Sequence, residues 1–478
     1  MFDLVIAGGT VVDGSGAAAV RADVAVTGDR ITAIGELANA RAARRIDATG
    51  LAVAPGFIDA HTHDDRLLFA DPGMAPKLSQ GVTTVVTGNC GISLAPLGRR
   101  TPVPPLNLVA SDEGPHFDSF AAYVAALEER PPAINAAPLL GHTTLRACTM
   151  AALDRPANEA EIAAMRSLVR EALQAGALGV STGTFYGPAN AATADEVAAV
   201  LEPLRGTGAV IASHIRDEAD DVIEALEEVT AIAQRLGVRQ VVSHHKVQGR
   251  ANFGRSRETL AFLDARRAAV DVCQDCYPYV ASSTILRADS ARQASRVLVA
   301  WSRAMPEAAG RFLDDLAREL GLPLEVLIER LQPAGAIYFS MDEADVERIL
   351  AHPQTMVGSD GLPHDRFPHP RLWGAFPRVL GHYCRERGLF SLETAVHKMT
   401  GLTASRFGLP DVGLLRPGMR ADITVFDPAT VIDAATFAAP TLPAKGIEAV
   451  FVGGVEAWGA GGSTGARPGK VLKRSPVC

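Results

Sequence analysis

Four histidines, one cysteine and one aspartate of this chain stand where short apolar runs end. Phe57-Ile58-Asp59-Ala60 runs into His61-Thr62-His63. In a strand, residues i and i+2 point to one side, so both imidazoles would project together as half of a metal site. Thr83-Thr84-Val85-Val86-Thr87 runs into Gly88-Asn89-Cys90-Gly91. Later runs end in Ser213-His214-Ile215-Arg216, Ser243-His244-His245-Lys246 and Gly358-Ser359-Asp360-Gly361. Each has an ordinary alternative. An HxH pair also occurs in exposed loops, and a single strand-end histidine is usually a hydrogen-bonded core residue. A lone cysteine packs as a small hydrophobe, and an aspartate can cap a helix. Their recurrence at strand ends favours metal ligands: His61, His63, His214, His244, Cys90 as a thiolate able to bridge two ions, and Asp360 as ligand and base. His245 alternates to the opposite side from His244 and reads as supporting or structural.

Nitrogen, sulfur and carboxylate donors together suit a divalent ion, with Zn²⁺ expected. Such an ion lowers the pKa of water from about 15.7 to about 7 and polarises a carbonyl oxygen. Asp360 would take the proton of the attacking water and pass it to a leaving nitrogen. That is hydrolysis of an amide or related C–N bond. Cys273-Gln274-Asp275-Cys276 is a CxxC, a pattern that elsewhere binds zinc or does redox chemistry. Here it lies in a strand-like run, its thiols would face opposite sides, and no second CxxC accompanies it. A structural role is expected, as for His142, His352, His364, His369, His382 and His397.

The elements that must hold these residues follow from texture. Nearly continuous apolar runs mark strand candidates at 57–60, 83–87, 134–140, 177–182, 208–213, 240–243, 269–276 and 355–359, as expected for strands buried on both faces. Helical stretches separate most of them, among them Glu159 to Ala175 and Asp220 to Leu236. Eight strands alternating with helices predict a (β/α)₈ barrel over 57–405, whose active site lies at the C-terminal strand ends. Residues 280–354 exceed a plain connector and are expected to hold helices, Ser295–Ser302 and Pro306–Leu320 among them, in an insertion expected to serve as a lid. Short β-type runs with glycine turns fill residues 1–56 and return in 406–478, which predicts one small β domain, a sandwich, built from both chain ends.

Composition bounds the rest. The 478 residues are 47% hydrophobic and 21% charged, an ordinary globular balance, and the net charge of -8 argues against nucleic acid or an anionic membrane as partner. Met1–Ile6 lacks the basic start and the length of a signal peptide, and no run is long enough to span a bilayer. Six scattered cysteines point to a reducing compartment, so a cytoplasmic location is expected. Oligomeric state is not legible.

The residues also resemble a known family. Pro55-Gly56-Phe57-Ile58-Asp59-x-His61-x-His63, the flanking β domain and Asp360 are similar to the amidohydrolase superfamily. Gly88-Asn89-Cys90-Gly91, Gly179-Val180-Ser181-Thr182-Gly183, Ser213 to Glu218, Ser243 to Lys246, and Gly358 to Pro363 with His369-Pro370-Arg371 resemble the N-acyl-D-amino-acid deacylases, the D-aminoacylases. The resemblance covers nearly the whole chain. It implies zinc-dependent deacylation of small N-acyl-D-amino acids, with Cys90, His214 and His244 at a tight zinc. His61, His63 and Asp360 would share Cys90 at a weaker site. Lys246, Tyr277 and Arg371 would hold the substrate's α-carboxylate, and Tyr186 and Ser283 would also touch substrate. The preference for D-enantiomers comes from the resemblance alone. Strand four lacks the lysine that cousins such as hydantoinases and dihydroorotases carboxylate into a bridge, which favours Cys90 in that role. Arg287-Ala288-Asp289-Ser290-Ala291-Arg292 leaves side-chain preference open: an arginine facing the pocket would favour N-acyl-D-glutamate, Asp289 or Ser290 a neutral or basic side chain. The alternatives are another C–N hydrolysis, of a cyclic amide or dipeptide, and a non-catalytic relative, which would be expected to have lost ligands.

Overall fold

The computed structural model describes residues 1–98 and 100–474. Eight parallel strands form a barrel: β1 (Phe57–Asp59), β2 (Val82–Thr87), β3 (Asn135–Pro138, resuming at Leu140–Gly141), β4 (Gly179–Gly183), β5 (Val210–His214), β6 (Arg239–Val242), β7 (Val272–Cys276) and β8 (Thr355–Val357). Neighbours pair in chain order. The ring closes where Ala60 N donates to Val357 O at 3.2 Å and Asp360 N to His61 O at 2.8 Å. Ile58, Val86, Val241, Cys273 and Met356 pack together inside it. The apolar runs read from the sequence are these strands, with ends moved by a few residues.

The surrounding helices carry legible start and stop signals. Asn158 caps Glu159–Gln174 in a reciprocal box with Glu161, and Gly237, at φ 62°, ends Val222–Leu236. Nine strands from both chain ends form one sheet, eight of them along a single hydrogen-bonded path and Ala42–Asp47 paired beside it with Phe2–Val11. In it Ala52–Pro55, from the N-terminal part, pairs with Ile423–Phe426, and both ends share a core that includes Ile6, Val24, Val53, Ile423 and Phe451. Among the described residues, no helix is long and apolar enough to cross a membrane.

Between β7 and β8 the insertion differs from expectation. Ser295–Ser302 is not helical: Val297–Ser302 is a strand in a three-stranded antiparallel sheet with Ala281–Ile285 and Ala334–Phe339. Val297 and Val299 face a core with Leu313 and Leu327, while Leu298 and Ala300 pack the other way against Ala281 and Ile337. Both faces are covered, so the run shows no polar alternation, and its β-branched residues are its only strand signal. The helix expected from Pro306 is a short 3₁₀ turn, Pro306–Ala308; after Gly310 at φ 81° the α-helix begins only at Leu313 and ends at Leu320. Cys273 and Cys276 of the CxxC lie in separate cores, one inside the barrel and one outside with Leu260 and Ile349. Burial pushes the Cys273 thiol up to about 12.

Candidate metal centre and active site

The strand ends bring the six candidate ligands to one buried point. His61 Nε2 lies 3.1 Å from Cys90 Sγ, and Cys90 Sγ lies 3.2 Å from His244 Nε2. His244 Nε2 is 2.9 Å from His214 Nδ1. Asp360 Oδ1 is 3.2 Å from His63 Nε2 and 3.6 Å from His61 Nε2. Two clusters result, Cys90–His214–His244 and His61–His63–Cys90–Asp360, with the donor atoms of each within 4.8 Å of one another and Cys90 in both.

The backbone is bent to achieve this. Among the described residues, four non-glycines have positive φ, and three are Cys90 at 54°, His244 at 36° and Asp360 at 50°. Such conformations cost of order 1–3 kcal/mol each and gather at functional sites. The loop carrying Cys90 is held from β4: Gly91 N donates to Ser181 Oγ at 2.9 Å, and Ser181 Oγ donates to Gly88 O. Gly88 sits at φ 74°, and a Cβ there would meet Leu139 O at 2.1 Å, so glycine is required on both counts.

Three further charged residues support the ligands. Asp275 Oδ1 accepts from His244 N at 2.8 Å and lies 3.4 Å from His61 Nδ1. Glu218 Oε1 lies 3.0 Å from His244 Nδ1 and 2.6 Å from Lys246 Nζ. Carboxylates behind ligand histidines fix ring orientation and raise basicity. Lys77, fully buried, donates to Asp59 at 2.8 Å and to Ser359 Oγ at 2.9 Å, and pairs with Asp64 at 3.3 Å. Asp59 also accepts from Ser359 N, so this network ties the end of β1 to the end of β8. Replacing Lys77 by Met would leave two buried carboxylates without a cation. The expected loss is about 3–5 kcal/mol of stability, read from urea unfolding; an unchanged midpoint would show that the network carries no weight.

The residues assigned to substrate also gather here. Arg371 Nη2 is 2.9 Å from Asp360 Oδ2 and donates to Ser283 O at 3.2 Å, and its guanidinium lies 4.4 Å from the Tyr277 ring centroid. Arg371 Nε and Nη1, Tyr277 OH and Ser283 Oγ are buried without a hydrogen bond among the described residues. Tyr186 OH meets Thr284 Oγ1 at 3.2 Å. Tyr186, Ser283, Ser290, Lys246 and Asp360 line one pocket. Neither arginine of the open segment lines it: Arg292 is at the surface, 3.9 Å from Glu325, while Arg287 forms an ion pair with Asp289 and covers the Phe185 ring at 4.8 Å. His245 turns away and meets Thr259 Oγ1 at 2.8 Å. His369 Nε2 meets Ala281 O at 3.0 Å, which ties the insertion to the residues just before the helix Arg371–Arg378.

The donor set fits a metal. Ring nitrogens, a sulfur and a carboxylate oxygen converge in a buried site, where adjacent lone pairs repel unless protons or a cation lie between them. Burial opposes a Cys90 thiolate, yet His61 and His244 hold its pKa well below that of a free thiol. Burial likewise opposes a charged Asp360, and Arg371 with His63 holds its carboxyl well below the usual range. Thiolate and carboxylate are the ligand forms a divalent ion requires.

Comparison with known proteins places this geometry in context. The amidohydrolase family profile matches residues 44–255 and 315–457. The D-aminoacylase of Alcaligenes xylosoxydans xylosoxydans is 55% identical over 474 residues, 99% of this chain and 98% of the relative. The N-acyl-D-aspartate deacylase of the same organism is 56% identical over 472 residues, 98% of this chain and 95% of the relative. The crystal structure of N-acyl-D-glutamate deacylase from Bordetella bronchiseptica, complexed with zinc and a phosphonate mimic of the tetrahedral intermediate, superposes with a TM-score of 0.95 at 47% identity. It covers 99% of both chains.

Proposed function

We propose, from the fact that the chain belongs to the amidohydrolase family and within it to the D-aminoacylases, that it hydrolyses linear N-acyl-D-amino acids to a D-amino acid and a carboxylate. The observation that carries the reading is the meeting of Asp360 with both a ligand histidine and Arg371, whose remaining donors are free for a substrate anion. Cys90, His214 and His244 would hold one zinc tightly. His61, His63 and Asp360 would offer a second, weaker position that shares Cys90. The ion supplies a Lewis acid for the scissile carbonyl and lowers the pKa of water.

The chain's own residues do the rest. An oxygen of Asp360, ionised under the influence of Arg371, takes the proton of the attacking water and returns it to the amide nitrogen as the C–N bond breaks. Arg371, Tyr277 and Lys246 orient the substrate through its α-carboxylate, with the free hydroxyl of Ser283 beside them. Glu218 and Asp275 keep the histidine rings aimed. The barrel, 57–405, carries this chemistry on a scaffold that includes the β domain of 1–56 and 406–478. The 280–354 insertion acts as a lid, since Ser283, Ser290 and Tyr338 all come from it and line the pocket. Five free thiols among the described residues support a cytoplasmic location.

The pocket wall favours an uncharged side chain. Ser290 and Thr284 line it, and the charge of Arg287 is already met by Asp289. The test is zinc-loaded protein against matched D and L pairs of N-acetyl and N-formyl amino acids. Turnover is expected for D substrates only, with neutral side chains ahead of aspartate and glutamate. Turnover of L substrates would refute the stereochemical assignment. A best rate on N-acyl-D-glutamate that falls in Arg287→Ala would overturn the reading of the pocket wall.

A further inference from the structure

We propose that the cleft beside the metal pocket is the subsite for the acyl group, and that it takes acyl chains longer than acetyl that end in a carboxylate. This rests on the deacylase reading and extends it to the half of the substrate that reading leaves open. The space among the ligands and Ser283 is only ≈ 30 Å³, while the adjoining cleft has ≈ 470 Å³. On the same measure the cleft offers far more room than the pocket beside the ligands, which favours the cleft for a longer acyl chain.

Leu108 lines both spaces. Asp365, on the cleft side, lies within electrostatic reach of His63 and Arg371 on the other. The shared Leu108 makes the cleft a neighbouring space into which an acyl chain can continue from the metal pocket.

The lining of the cleft describes its ligand. Pro102, Leu108, Ala110 and Trp301 give it an apolar stretch. Arg66 and Arg303 also line it, and neither side chain has a hydrogen-bond or ion-pair partner among the described residues. Asn107 Oδ1, His364 Nε2 and Asp365 Oδ2 are buried in the same lining without hydrogen bonds, which marks a place for a polar group. Two aspartates are present as well. Asp112 sits exposed at the rim, and burial pushes Asp365 up to about 7. An apolar spacer against Trp301 with a terminal carboxylate at the arginines satisfies this lining. Simple alkanoyl groups satisfy only its walls.

The experiment compares N-acetyl, N-hexanoyl and N-glutaryl derivatives of one D-amino acid by kcat/KM, in the zinc-loaded parent and in Arg303→Ala and Arg66→Gln. We expect N-glutaryl to exceed N-hexanoyl, and each variant to lower N-glutaryl turnover by about tenfold, the weight of one charge-assisted contact. N-acetyl turnover should stay within about twofold, which also reports an intact fold. Equal loss on all three substrates, relieved by salt, would show general attraction of anions and overturn the subsite. N-glutaryl turnover no better than N-acetyl in the parent would overturn it too, while leaving the deacylase reading standing. No turnover of any of the three would remove both.

Discussion

Asp360→Asn is expected to lower kcat by about 10²–10⁴-fold, the weight of a positioned general acid–base group, while zinc remains at Cys90, His214 and His244. The substitution preserves shape and removes only the charge and the proton-accepting oxygen. KM should change less than kcat, because Arg371, Tyr277 and Lys246 still face the α-carboxylate. Stability should also fall. Arg371 is fully buried, and Asp360 is its counter-charge at 2.9 Å. An unpaired buried guanidinium costs about 3–5 kcal/mol. The two effects separate experimentally, through initial rates at saturating substrate on one side and zinc content with thermal melting on the other. A variant that melts lower, keeps its zinc and turns over at the parental rate would remove Asp360 from the chemistry and leave it as a partner of Arg371. Loss of zinc from the Cys90 cluster along with activity would mean that the two clusters are not independent.

What could be read without the structure was governed by how regular the backbone is at each position. His61 and His63 were legible because i and i+2 in a strand share a side, and β1 leads straight into them. Cys90, His214, His244 and Asp360 were legible from their places after strands, although their geometry depends on left-handed turns that the sequence does not announce: none of Cys90, His244 and Asp360 is a glycine. Asp275 was hidden within the CxxC, where attention falls on the two thiols. Its own signal was a carboxylate in a strand otherwise buried on both sides, which has to find a partner. Glu218 follows His214 by four residues, but the segment between them is loop rather than helix, so helical spacing gave no reason to pair them. Lys77 and Ser359 are far apart in sequence and meet only through barrel closure. The Val297–Ser302 strand was misread because both of its faces are covered. The side on which Arg287 and Arg292 emerge depends on a short helix, Ala288–Gln293, docked on the insertion. Register in that segment is a matter of tertiary packing.

Cys90→Ala is expected to abolish tight zinc binding, and activity with it. Sγ is the one donor atom common to both clusters, so its removal takes a ligand from each. Losing an outer partner of a ligand typically costs 10–100-fold in affinity; losing the shared ligand should exceed that, leaving protein that is metal-free after dialysis against a mild chelator. The fold should tolerate the change. The side chain is small, and alanine avoids leaving a thiolate beside three imidazoles once the metal is gone. Backbone strain at φ 54° remains with alanine and keeps the loop's cost in place. Cys273→Ala is the matched control. It removes a thiol of equal size, buried inside the same barrel, from a position whose pKa is pushed up rather than down. Zinc retained in Cys273→Ala and lost in Cys90→Ala would separate ligand loss from core damage. Full zinc retention in Cys90→Ala would refute the bridging assignment, leaving His214, His244 and the His61–His63–Asp360 group to account for the metal without sulfur.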